Sequence, residues 1–118
     1  MSRVVAFVPD LLFGSNVIGA LTAAGHDPVL VSRGEDLAGA LPGAHVLVVD
    51  LTDDVPARIE IARPALSADG PPRTLAFFSH VEADVRAAAT EAGFDLVVPR
   101  SRMARAAGDL VDQLTAVY

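Results

Sequence analysis

The chain has 118 residues, 52% hydrophobic and 20% charged, which predicts a single domain over residues 1–118 that folds unaided and buries roughly two-thirds of its unfolded surface. Nine basic against fifteen acidic residues leave a net charge of −6, and all nine are arginine with no basic run, which argues against nucleic acid or an anionic membrane as partner. Without cysteine there is no disulfide, no thiolate nucleophile and no Cys-ligated zinc or iron–sulfur centre.

Val4-Val5-Ala6-Phe7-Val8 is a continuous apolar, β-branched run, the pattern of a strand buried on both faces. It stops at Pro9-Asp10, too short to span a membrane and lacking a signal-peptide cleavage region, so a cytoplasmic location is expected. Four similar runs follow at Pro28–Val31, His45–Val49, Thr74–Phe78 and Leu96–Val98. Between them lie helix-compatible stretches: Leu12–Ala24 before Gly25, Arg33–Leu41 before Pro42-Gly43, Val55–Leu66, Val81–Ala92 before Gly93, and Arg102–Val117. Ser32-Arg33-Gly34-Glu35 has capping-box spacing, Pro56 suits a first helical turn, and Ser101 is placed to cap the last helix. Pro64 is discordant and predicts a kink or an early end to the third helix.

Alternating β and α units with double-sided apolar strands predict a parallel sheet between helix layers, with right-handed crossovers. Five such units make a flavodoxin-like α/β/α sandwich of strand order 2-1-3-4-5. No repeat, linker or low-complexity tail interrupts the chain, so a stand-alone module is expected.

In this architecture ligands bind beyond the carboxyl ends of the strands, near the point where strand order reverses. Asp10 and Asp50 end the first and third strands, Ser79-His80 the fourth and Pro99-Arg100-Ser101-Arg102 the fifth. Carboxylates, a hydroxyl, an imidazole and guanidinium groups thus meet along one edge. Each also has a plain structural reading: Asp10 and Ser79 as helix caps, Asp50 as a turn residue, His80 as the first residue of a helix, and Arg100 and Arg102 as solvated charges. His26 and His45 read as surface or packing residues. Ser79-His80 is no catalytic dyad and Gly-x-Ser-x-Gly is absent, so the expectation is a protein that is not an enzyme.

Asp10, Asp50 and Ser79, each ending its strand, resemble the response-regulator receiver superfamily of CheY-like domains. The resemblance implies Asp50 as phosphoacceptor, Asp10 and Asp50 as Mg2+ ligands and Ser79 as the switch hydroxyl. It also implies signalling proteins as partners and a homodimer through the last two β/α units. Two departures stand out. Pro9 occupies the place of the family's first acidic residue, and Pro99-Arg100 replaces its lysine-proline pair in a chain that has no lysine at all. Arginine, a planar fork, is no conservative exchange for a compact ammonium. The expected function is therefore a degenerate receiver, a signalling and interaction module that requires no cofactor and is not efficiently phosphorylated. The alternatives are an active regulator phosphorylated on Asp50 with Mg2+, or a small-anion binder using Ser79, His80, Arg100 and Ser101.

Overall fold

The computed structural model describes residues 2–79 and 83–116. Strands β1 (Arg3–Phe7), β2 (Asp27–Val31), β3 (Val46–Asp50), β4 (Arg73–Phe78) and β5 (Leu96–Pro99) form one sheet in the order β2-β1-β3-β4-β5. Every pairing is parallel. Helices α1 (Leu11–Ala23), α2 (Leu37–Ala40), α3 (Val55–Leu66), α4 (Ala83–Ala92) and α5 (Arg100–Thr115) alternate with the strands. The flavodoxin-like order expected from the apolar runs is the one formed. Among the described residues no helix is long and apolar enough to cross a membrane.

Side chains alternate across a strand, so each apolar run feeds two cores. Val4, Ala6 and Val8 of the first run join Val46, Val48, Leu75 and Phe77 against Phe13, Val17 and Leu21 of α1 and Met103, Ala107, Leu110, Val111 and Leu114 of α5. Val5 and Phe7 join Leu47, Val49 and Ala76 against Leu37, Ile59, Ala62 and Ala89 on the other side. The apolar stripe of α5 is thus spent inside the molecule. Gly14 lets α1 pass close to β2, since a Cβ there would meet Leu30 Cδ1 at 2.8 Å and displace that side-chain tip.

Several local expectations are corrected. Ser32–Glu35 forms no capping box: a 3-10 turn at Gly34–Asp36 begins there without a side-chain cap and leads into the single turn of α2. Arg33 pairs with the Glu35 carboxylate instead, removing it from the cap. Pro64 does not end α3, which runs two residues further. The carbonyl deprived of a partner is that of Glu60, on the exposed side of the helix where water can reach it. Helix α5 starts at Arg100, so Ser101 lies inside its first turn rather than at the cap, which is Pro99. The fixed φ of proline suits a helix entry that leaves the first amides without a side-chain acceptor. Ala106, at φ −139° and ψ 30°, breaks the helical geometry midway along α5. Other boundaries shift by a residue or two, and Val81 and Val117, the expected ends of two helices, lie outside the described residues.

Candidate functional site at the carboxyl edge of the sheet

The first turn of α1 is organised by Asp10, whose Oδ1 accepts the Phe13 backbone N–H at 3.1 Å. The cap reading of Asp10 therefore holds, and its second oxygen remains available to a cation. Arg100, at the start of α5, takes that position: its Nη2 lies 3.8 Å from Asp10 Oδ2. The guanidinium also covers the Phe13 ring, 4.3 Å from the centroid, and that ring packs on Phe77 at 5.1 Å. Cation, aromatic face and carboxylate hold one another in place.

Asp50 sits in a different environment. It closes an all-buried strand, and its side chain is only 3% exposed. Oδ1 accepts the Thr52 backbone N–H at 2.8 Å and the Thr52 hydroxyl at 2.5 Å, an Asx-type turn that redirects the chain. Oδ2 lies 3.4 Å from Nη1 of Arg58, which also donates to the Asp50 carbonyl at 3.2 Å. The Arg58 side chain is 13% exposed. Both carboxylate oxygens are therefore engaged by the chain itself.

Arg58 was not among the residues the sequence pointed to, although a signal exists. It is the fourth residue of α3, eight after Asp50, and helical side chains lean toward the helix N-terminus. A long cation at that position is directed back over the strand end that precedes the helix. Asp54, which joins the loop to α3, takes a left-handed φ of 46° to set this approach.

The edge thus divides in two. Ser79, Arg100 and Ser101 do come together, lining a groove of about 450 Å3 with Phe13 and Ala104. Asp50 is not among its lining residues, and among the described residues no ion pair links it to Arg100. The Arg100 guanidinium goes to Asp10, and Asp50 has its own arginine. His80 lies outside the described residues. His45 is at the opposite end of the sheet, where Nδ1 accepts the Arg3 backbone N–H at 2.9 Å. His26 is a packing residue, its ring held 2.8 Å from Asp112 Oδ1 on α5. Among the described residues no group of three or more acidic, histidine or cysteine side chains could hold a metal ion.

No family model and no curated protein sequence matches the chain. Solved structures do. A response regulator from Thermotoga maritima superposes with a TM-score of 0.83 at 12% identity, covering 98% of both chains. An atypical orphan response regulator, described as having a phosphorylation-independent regulatory mechanism, gives 0.75 at 14% identity over 98% of this chain and 97% of its own. A putative pilus assembly protein from Burkholderia thailandensis gives 0.75 at 13% identity over 98% and 99%. At these identities the likeness is one of architecture: the chain has the CheY-like fold of response-regulator receiver domains.

Proposed function

We propose that this chain is a receiver-like signalling and interaction module whose output is set by protein binding rather than by efficient phosphorylation of Asp50. The observation that carries this reading is the closed environment of Asp50, with Thr52 on one oxygen and Arg58 on the other. Phosphoryl transfer to a carboxylate needs an exposed oxygen in line with the donor, and a metal to neutralise the charge between them. Here a guanidinium already supplies the positive charge and fills the approach to Oδ2. Asp10 is likewise engaged by Phe13 N–H and Arg100, so the donor set does not fit a resident divalent cation. The fold likeness to an orphan regulator described as phosphorylation-independent is in keeping with this reading.

The test is intact-protein mass spectrometry after incubation with Mg2+ and acetyl phosphate, with thermal shift in beryllofluoride, on the wild type and Asp50→Asn. No phosphoryl adduct and no shift are expected. An adduct or a beryllofluoride shift that disappears in the variant would establish the active-regulator alternative. A second reading, small-anion binding, is favoured by the groove that Ser79, Arg100 and Ser101 line. Thermal stabilisation by phosphate at low millimolar concentration, abolished in Arg100→Ala, would support it.

A further inference from the structure

The amino edge of the sheet, opposite the edge that carries Asp10 and Asp50, holds a cavity of about 290 Å3 at the starts of β4 and β5. Ligand pockets usually span about 300–1,000 Å3, so this space suits a small molecule and not a macromolecule. Leu66, Pro71 and Pro72 give it apolar walls, while Arg73, Thr74 and Asp95 supply its polar side chains.

These polar groups leave both charges with unused capacity. Thr74 fixes Asp95: Oδ2 accepts the Thr74 N–H at 2.8 Å and its hydroxyl at 3.1 Å, and the hydroxyl accepts the Asp95 N–H at 3.0 Å. Both bonds to the carboxylate fall on Oδ2, and among the described residues no hydrogen bond engages Oδ1. Arg73 is near but not engaged, since Nε lies 3.8 Å from Asp95 Oδ2 and, although buried, has no hydrogen-bond partner. The two side chains are 37% and 38% exposed, so their charged ends remain reachable. Pro71 and Pro72 carry no amide N–H, which leaves Arg73 as the group that meets an anion there. Leu66 ends α3 and Gly93 follows α4, so the carbonyl ends of two helices border the cavity and add partial negative charge.

We infer that this cavity binds a small apolar α-amino acid as its zwitterion. The ammonium donates to Asp95 Oδ1 near the carbonyl ends of α3 and α4, and the carboxylate accepts from the Arg73 guanidinium. The side chain lies against Leu66, Pro71 and Pro72. The opposite charges of the cavity stand 3.8 Å apart, which matches a ligand whose ammonium and carboxylate share one carbon. A lone carboxylate would leave Asp95 Oδ1 unmet and a lone amine would face Arg73, whereas a zwitterion satisfies both. The site lies at the other end of the sheet from Asp50 and does not depend on how that carboxylate is used.

The probes are L-alanine, L-valine and L-leucine, with N-acetylalanine and alaninamide as forms that each lack one charge, and γ-aminobutyrate as a zwitterion of longer span. Thermal shift, titration calorimetry and amide chemical shifts of the full chain give the readout. At least one of the three amino acids is expected to bind at concentrations up to about 10 mM, with shifts centred on Gly70, Arg73, Thr74, Gly93 and Asp95. The blocked forms and γ-aminobutyrate should bind on the order of tenfold more weakly. Asp95→Asn, which keeps an acceptor for Thr74, and Arg73→Gln, which leaves the backbone bond to the His45 carbonyl in place, should each weaken binding on the order of tenfold. Unchanged melting temperatures of the free variants confirm that they are folded, and the blocked forms test both charged contacts on the wild type whatever the variants' stability. Absence of binding by all three amino acids, equal binding of a blocked form or of γ-aminobutyrate, or shifts centred on Asp10, Ser79 and Arg100 would overturn the inference.

Discussion

Substituting Arg58 by methionine keeps most of the side-chain volume and removes the charge beside Asp50. At 3.4 Å and an effective dielectric near 20, the gross attraction is about 5 kcal/mol. Desolvation of two largely buried ions offsets much of this, and loss of one partner of a buried pair typically costs about 3–5 kcal/mol. The site lies at the end of the sheet, where water can enter once the guanidinium is gone, and Thr52 continues to satisfy Oδ1. The expected loss for Arg58→Met is therefore smaller, about 2–3 kcal/mol, or a melting temperature lower by roughly 10 °C for a domain of this size. Asp50→Asn, whose single amide oxygen serves either Thr52 or Arg58 and turns an NH2 donor toward the other, leaves the guanidinium its bond to the backbone carbonyl of residue 50 and should cost about 1–2 kcal/mol. The double variant should cost about 2 kcal/mol, well below the sum, because neither charge is then stranded. Urea denaturation of the four proteins measures the coupling directly. If the single losses add to within about 0.5 kcal/mol of the double, Asp50 and Arg58 are independent and the closed-site argument fails.

Three further perturbations test the packing that positions the edge. Gly108→Ala gains about 1 kcal/mol of helix propensity but drives a methyl into Ala24, so a net loss of about 1–2 kcal/mol is expected in thermal melts; stabilisation would mean that the α1/α5 contact yields freely. Thr74→Val removes a buried hydroxyl that accepts the Asp95 N–H at 3.0 Å and meets its Oδ2 at 3.1 Å. It should cost about 1–2 kcal/mol and increase hydrogen exchange at the Asp95 amide, and an unchanged exchange rate would refute the role of this link between β4 and β5. His26→Ala removes the bond to Asp112 and opens space beneath a side chain only 6% exposed. The urea midpoint should fall by the equivalent of about 1–2 kcal/mol, and no change would show that the contact does not hold α5 to the rest of the molecule.

The sequence by itself determined the architecture, because the signals for it are local. Five double-sided apolar runs, glycines after helices and a proline early in α3 dictate elements whose burial pattern admits one layered solution. It also brought Asp10, Asp50, Ser79 and Arg100 to the same edge, since strand ends in a parallel α/β sheet lie together. Local signals failed where tertiary context outweighed them: Glu35 paired with Arg33 instead of capping, and Pro64 was accommodated because its orphaned carbonyl faces water.

Which charge meets which carboxylate was decided only by the tertiary structure. Arg100 follows its strand end directly, whereas Arg58 stands eight residues beyond Asp50 in the first turn of α3; the lean of helical side chains points Arg58 toward its own strand end, but no spacing in the sequence assigns Arg100 to Asp10 rather than to Asp50. The assignment comes from where α3 and α5 begin and how their first turns lie over the sheet. The left-handed Asp54 sends Arg58 back over β3, and Pro99 starts α5 so that Arg100 rests on the Phe13 ring beside Asp10. A guanidinium reaches several ångströms from its backbone, so small differences in helix entry choose its partner, and that choice separates a closed carboxylate from an open groove.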